Sequence, residues 1–409
     1  MAWSPDTTVT IEGVDFTGDT VGQVTIRRGR DTVYADPVAG YAVINLIDKD
    51  GSGFEIDPAV TVTVTIKDST AGDVALFTGQ VTDIERSLYT AGLIGDPASI
   101  TTLTAVGPLA RLSRRQVLAA GRPAEEDADR IRAALAEGLS LTWEELPQDT
   151  WDDFDPTTTW ATIDPGFDPD LIAPGLFDLI ALDPQDGGYS AYQVVSAASA
   201  SAQGVIYETG TGLVGWDNAD SRGDDPTYTN VPASIINAQG LLSSTSLSDI
   251  VNRVEVVYDS QVEEFRDDTS IVTFGRYDRR IETLLANQAA ALRYGEDYLL
   301  RHAFPLINLS TVSMRLDGLD DADADQLLAI DINTPVFLQS LPDTLRVNEL
   351  PGFVEGLTWN IDAHRAQLIL SVSDAALSVG DIRWSQLPAA LTWNDLPATL
   401  TWQDWRTTL

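Results

Sequence analysis

Among its 409 residues the sequence has no cysteine, two histidines (His302 and His364) and two lysines (Lys49 and Lys67). The missing cysteine excludes a disulfide scaffold, a thiol nucleophile and cysteine-ligated zinc. Two histidines are too few for a three-histidine metal site within one chain, and neither sits in a recognisable catalytic motif. No Walker A lysine exists, because both lysines precede aspartate. Positive charge is also scarce: 25 basic residues face 62 acidic ones, a formal net charge of −37. The balance argues against autonomous DNA binding through a broadly basic surface, since phosphates would meet a like-charged body. No stretch approaches the ~18 consecutive apolar residues of a membrane span. The opening MAWSPDTTVT has neither the positive n-region nor the apolar h-region of a secretory signal.

What is present is a folding chain. With 44% hydrophobic and 21% charged residues it is globular, and its length suits two to four domains. Every basic residue apart from the two lysines is arginine, a bias expected of a high-GC genome. The first hundred residues read as β. The stretches 21–28, 41–47, 61–66, 74–77 and 100–106 are rich in β-branched residues, and 61–66 alternates strictly. Gly/Asp/Pro clusters between them mark hairpins of a sandwich or barrel. Pro108 ends that run.

Pro123 is expected to open a helix, with Glu125, Glu126 and Asp127 in its first turn, Ala128, Ile131 and Leu135 as its apolar stripe and Gly138 at its end. Residues 141–175 are rich in Trp, Asp, Pro and Thr and lack periodicity. Short β-like pieces follow at 193–195 and 204–207. A new block begins near 247, with strands at 252–258 and 271–274. A helix is next, with Leu285, Ala289, Leu292, Leu299 and Ala303 on one face, halted by Pro305. Strands near 309–316, 335–340, 353–359 and 367–372 close the block, around a short helix at 322–329. The fold class expected is mainly β with a few helices, a β-rich multidomain chain without the βαβα rhythm of a parallel sheet.

One internal repeat is present. Leu141-Thr-Trp-Glu-Glu-Leu-Pro147 recurs as Leu391-Thr-Trp-Asn-Asp-Leu-Pro397, with looser copies at 383–388 and 400–405. Trp143, Trp151, Trp160, Trp384, Trp393, Trp402 and Trp405 all lie in these two segments, at a period too short for a solenoid. Each copy reads as a peg: an aromatic, an acidic or amide neighbour, then leucine and proline. Two roles stay open, packing within the chain or docking onto another subunit. A Pro-interrupted tail has little volume for its own core, which favours docking, and an acidic peg suits a groove with arginines.

Three motifs resemble ligand sites and have simpler explanations. Gly210-Thr-Gly-Leu-Val-Gly215 matches G-x-G-x-x-G, but Trp-Asp-Asn follows it where a nucleotide site needs a helix, so a glycine-rich hairpin is expected. Asp48-Lys-Asp-Gly-Ser-Gly53 copies half of a calcium loop, yet its twelfth position is Ala59, so a polar turn is expected. The aspartates of 317–325 fit a helix cap at Asp320 or Asp321. Carboxylate pairs carry no information among 62 acidic residues. His302, near a helix end, suits packing or a dipole role. No catalytic, cofactor or metal site is expected.

In order along the chain, Thr25-Ile-Arg-Arg-Gly-Arg30, Ala39-Gly40, Val43-Ile-Asn-Leu46, Asp50-Gly51, Leu76-Phe-Thr-Gly-Gln-Val81 and Thr102-Leu-Thr-Ala-Val-Gly-Pro-Leu109 resemble the opening of siphophage minor tail proteins, common in phages of actinobacterial hosts. Val251-Asn-Arg-Val-Glu-Val256, Ser270-Ile-Val-Thr-Phe-Gly275, Ala303-Phe-Pro305, Asp331-Ile-Asn-Thr-Pro-Val336 and Phe353-Val-Glu-Gly-Leu-Thr-Trp359 resemble that family's second half. The resemblance covers roughly residues 1–120 and 247–375. Each motif alone is weak, and their joint order carries the likeness.

The resemblance implies a tail-tip or baseplate hub, similar to the central hub of contractile tails. It implies two tube-like β-barrels per chain, assembled as a homotrimer whose pseudo-six-fold ring meets a hexameric tail tube. On this basis residues 1–115 form a first hub barrel, 116–246 a helix with a Trp/Pro-rich segment and small insertion, 247–380 a second hub barrel, and 381–409 a tryptophan-repeat tail. Expected partners are the tail tube or distal tail protein, the tape measure, and a central fibre or other minor tail proteins. DNA would pass without specific binding, repelled by acidic walls. The expected location is the virion tail tip, assembled in the reducing host cytoplasm, which suits a chain without cysteine. The rival is a receptor- or glycan-binding component whose tryptophans stack on sugars; a cell-wall hydrolase has no supporting motif.

Overall fold

The structure, a computed structural model, describes residues 3–33, 35–49, 53–70, 72–90, 97–139, 167–223, 226–232, 234–305, 308–342, 345 and 348–377. The first block folds as seven strands: β1 (Thr7–Ile11), β2 (Val14–Thr17), β3 (Val21–Gly29), β4 (Val38–Asp48), β5 (Thr61–Lys67), β6 (Asp73–Thr90) and β7 (Pro97–Val106). A middle region follows with α1 (Pro108–Arg114), β8 (Gln116–Val117), β9 (Glu125–Glu126), α2 (Asp127–Leu139), β10 (Asp178–Leu179) and β11 (Tyr189–Ser190). It continues through α3 (Ala191–Ser201), β12 (Val205–Glu208), β13 (Val214–Asp217), α4 (Ala219–Gly223), β14 (Thr229–Pro232) and β15 (Ile236–Ser244). The last block comprises β16 (Arg253–Tyr258), β17 (Gln261–Arg266), α5 (Asp268–Phe274), β18 (Asp278–Glu282), α6 (Gln288–His302) and β19 (Asn308–Arg315). It closes with α7 (Asp321–Leu328), β20 (Pro335–Gln339), β21 (Leu350–Ile361) and β22 (Ala366–Asp374). The protein is mainly β, as expected.

The first block, strands β19–β22 of the last block and β14 and β15 of the middle region meet in one 13-stranded sheet, ordered β15-β19-β22-β21-β3-β4-β7-β6-β5-β1-β2, with β20 on β21 and β14 parallel to β20, while β17-β16-β18 form a separate three-stranded sheet. Strict alternation sets the strand faces: in β5, Val62, Val64 and Ile66 are fully buried while the threonines between them are not. Each such side chain contributes about 1.5–3 kcal/mol of burial. The seam between the blocks is the antiparallel pair β3–β21, with Gly29 opposite Gly356 and Val24 opposite Ile361. Gly29 sits at φ +82°, and a Cβ there would lie 2.3 Å from the Glu355 carbonyl oxygen. Only glycine satisfies both constraints.

Two cores result. The first lies on the large sheet and combines Ile26, Ile44, Val64 and Phe77 with Trp359, Leu368 and Leu370. The second gathers Leu112 of α1, Ile131 and Leu135 of α2, Val195 of α3, Trp216 of β13, Val254 of β16 and Tyr294 of α6. Trp3, Trp216 and Trp359, the tryptophans among the described residues, are all buried.

Several elements differ from expectation, each for a local reason. Helix α2 starts at Asp127 rather than Pro123, because Glu125 and Glu126 pair with Leu179 and Asp178 as a short ladder. Gly138 lies inside that helix. Residues 193–195 belong to α3, not a strand: Ala191, Val194, Val195 and Ala198 are buried at helical spacing, which β-branching at two positions does not override. Residues 271–274 belong to α5, where the Asp267 carboxylate caps the Ser270 N–H at 2.8 Å and Gly275 ends the helix at φ +90°. Helix α6 buries Ala290, Ala291, Tyr294, Gly295 and Tyr298, while Ala289 and Leu292 face out. The tyrosine pair and the close approach of Phe265 to Gly295 select that face. Pro108 ends the strand run and also occupies the first turn of α1, which was not expected.

Candidate functional site

Where the large sheet meets the helical core, three segments supply a buried ionic junction. Glu355 of β21 accepts hydrogen bonds from Arg30 Nε at 2.7 Å, Arg222 Nη2 at 2.7 Å and Ser373 Oγ at 2.5 Å. Burial alone would raise the Glu355 carboxyl, but Arg222 and Arg30 outweigh it and bring it down to about 2. The Arg222 guanidinium also lies 4.7 Å from the centre of the Phe353 ring. Arg28 Nη1 pairs with Asp331 at 2.7 Å and donates to the Glu208 carbonyl at 2.7 Å. The Glu208 carboxylate is itself buried and accepts the backbone N–H groups of Gly40 and Leu109, both at 2.7 Å. Burial pushes its titration upward against those donors and Arg28. One side chain thus joins β12, β4 and α1.

Beside this junction a cavity of about 360 Å³ opens between α3, α6, β18 and the segment after β3. Five arginines line it (Arg30, Arg222, Arg279, Arg280 and Arg301), against Asp36 and Glu282. Glu355, behind the wall, answers Arg30 and Arg222 together with one charge. Arg280 Nε pairs with Glu282 at 2.8 Å, and Arg301 Nη1 donates to Gln203 Oε1 at 3.2 Å. Tyr192, Tyr294 and Tyr298 supply aromatic walls, and the His302 ring stacks on Tyr298 at 4.1 Å between centroids. Burial and then the Arg301 charge lower His302 to about 3, so the imidazole is neutral at physiological pH. Chemically, the cavity offers planar cations and aromatic faces, which suit a carboxylate or phosphate attached to an aromatic or apolar group.

The other sequence candidates take structural roles or fall elsewhere. Trp143, Trp151, Trp160, Trp384, Trp393, Trp402 and Trp405 lie outside the described residues. The glycine-rich motif at 210–215 spans the β12–β13 hairpin. A Cβ on Gly210 would sit 2.0 Å from the Ala75 carbonyl oxygen, and its N–H donates to Asp331 at 3.0 Å, so the glycine lets the hairpin reach β6. Asp48 is buried at the end of β4 and accepts the Gly53 N–H at 2.6 Å; residues 50–52 of that loop are outside the described set. Asp320 caps α7 by accepting the Asp323 N–H at 2.9 Å, and Asp325 accepts the Ser69 N–H at 2.8 Å. His364 lies in the exposed turn between β21 and β22.

The arginine-lined cavity was not anticipated from the sequence. Its residues come from five separate stretches, and their joint placement depends on β3–β21 pairing and on the packing of α6. The one local signal is the density of arginine at 27–30 and 276–280 within so acidic a chain.

The fold is shared with solved tail proteins. The 43 kDa tail protein of prophage MuSo2 from Shewanella oneidensis matches with a TM-score of 0.57 at 13% identity, covering 92% of this chain and 99% of that one. The tail protein from Neisseria meningitidis MC58 matches with a TM-score of 0.57 at 11% identity, covering 92% and 100%. Prophage tail protein gp18 from Listeria monocytogenes EGD-e matches with a TM-score of 0.50 at 8% identity, covering 90% and 95%. At these identities the likeness is one of fold. No protein-family model matches the sequence, and no curated protein matches it.

Proposed function

We propose that the protein is a structural component of a phage tail, a tail-tip or baseplate hub that assembles as a homotrimer between the tail tube and the tip. The observation that carries this is the extent of the fold likeness: about nine-tenths of this chain superimposes on nearly the whole of three solved tail proteins. A likeness in which neither partner leaves a large domain over is that of a whole module, not of a shared insert. The ordered motifs at 25–109 and 251–359 support the hub assignment, and the first core draws on both stretches. In a ring of three, the two β blocks of each chain would alternate, giving a heterologous interface that closes on itself.

On this account the chain works by shape and charge, not by catalysis. A net charge of −37 per copy would be tripled around the ring, and a DNA channel lined by part of it would repel phosphates and keep the duplex moving. Multi-angle light scattering of the purified chain tests the assembly. A mass of three chains is expected; a monomer at all accessible concentrations refutes the homotrimer. Disrupting the gene in its phage tests the role: particles lacking a tail tip are expected, and intact, infectious tails contradict it.

A further inference from the structure

We propose that the uncharged strip around β15 is a contact surface for a second copy of this chain; the proposal rests on the multimeric reading above. From residue 226 to residue 248 the sequence has no lysine, arginine, aspartate, glutamate or histidine, although 21% of the chain is charged. The run contains β14, β15 and the turn after β15. β15 is the last strand of the large sheet. One of its edges pairs with β19, and among the described residues no strand pairs with the other.

An edge strand presents unpaired backbone groups, and proteins commonly guard such edges with charge. The other free edges of this molecule are guarded in that way. β2, at the opposite end of the sheet, carries Asp15; β17 carries Glu263 and Glu264, and β18 carries Asp278 and Glu282. β15 carries no charge, and two register shifts bend it without adding one. Its surface is apolar as well: Leu242 in the strand is 59% exposed, and Leu247 in the turn after it is 52% exposed. The exposed residues beside them in sequence, Ser244, Thr245 and Ser248, are neutral. Covering two leucines on association is favourable wherever water leaves them.

Charge decides which partner fits. Two bodies of −37 repel each other, and every carboxylate set against another at their contact adds to the cost. A surface with no charge of its own is where a like-charged copy approaches at least cost. A cationic partner would find complementary sites over most of this acidic chain and would gain nothing from a neutral strip. The unpaired edge adds main-chain hydrogen bonds, which do not depend on net charge. In a closed ring of three the contact is heterologous, with β15 of one copy meeting a different surface of the next.

Leu242→Glu combined with Leu247→Glu in the full-length chain, followed by light scattering, tests the contact. Both positions are exposed, so the circular dichroism spectrum and melting curve should stay native. The substituted protein is expected at the mass of one chain where the unsubstituted protein has the mass of three. An unchanged mass of three chains overturns this contact and leaves the multimeric reading standing. A monomeric unsubstituted protein overturns both. A mass of two chains that the substitutions abolish keeps the contact and overturns the ring of three instead. A second measurement does without the glutamates. Because the chain has no cysteine, Leu242→Cys introduces a single thiol. Folding alone, with position 242 at 59% exposure, should slow maleimide addition less than about twofold relative to the same chain in urea. The contact predicts a further loss of roughly tenfold in the multimer, where the thiol is shut away from water. A rate no slower than folding alone explains overturns the proposal. So does a thiol shielded only in assembled tails, which would give the strip to a different tail protein.

Discussion

Replacing Glu355 with glutamine probes the junction between the sheet and the helical core. The native carboxylate lies 2% exposed between two guanidinium groups, each 2.7 Å away, with Ser373 on a third side. Glutamine keeps the shape but removes the charge, and its NH2 must face a donor. Arg222 and Arg30 then remain together with side chains 6% and 10% exposed and no carboxylate between them. Removing one partner of a buried ion pair costs about 3–5 kcal/mol, because the stranded charge cannot be rehydrated. Urea unfolding followed by circular dichroism should show a loss of that size at pH 7. The pH dependence has a fixed sign. The folded carboxyl titrates at about 2 and its ordinary value is 4.5, so its contribution is complete above about 4.5 and disappears as pH falls toward 2. The gap between native protein and Glu355→Gln should therefore close over that interval. A loss below about 1 kcal/mol at pH 7, or a gap that persists at pH 2, refutes the assignment of Glu355 as the charge that holds the junction.

Glu208→Gln should cost about 1–3 kcal/mol, since one of the two backbone N–H groups would then face an amide donor; hydrogen exchange at Gly40 and Leu109 should accelerate, and unchanged protection would contradict the role. Gly29→Ala should be poorly tolerated, because a methyl group cannot fit 2.3 Å from the Glu355 carbonyl oxygen at φ +82°; wild-type stability in a melting experiment would refute the tight seam. His302 should remain neutral in the fold down to about pH 3, as followed by imidazole NMR shifts. Since the unfolded ring takes its proton near 6.5, this residue erodes stability as pH falls from 6.5, by at most about 1.4 kcal/mol per pH unit. His302→Phe should flatten that slope, and an unchanged slope would count against it.

Strand identity was legible wherever period-two burial was strong, as in 61–66, where alternating Val and Ile meet a single apolar face. It failed at 193–195 and 271–274, short apolar runs in which β-branching suggested strands. There, buried spacing and an aspartate cap decide for helix, and both depend on neighbours far away in sequence. The face of α6 was misjudged for a similar reason: Leu292 is more hydrophobic than Gly295, but only glycine admits the Phe265 ring. The glycine-rich hairpin and the Asp320 cap were legible because their geometry is set within a few residues. The cavity was not legible, since Arg30, Arg222 and Arg279 become neighbours only through long-range packing. The acidic excess of the whole chain gave no hint of a local cationic wall.

The most direct test of the hub account is a cryo-EM reconstruction of the tail tip in the virion that carries this protein. Three copies are expected around the axis, with both β blocks of each chain in one ring and acidic side chains lining the central channel. One or six copies, or a channel wall that is neutral or basic, would contradict it.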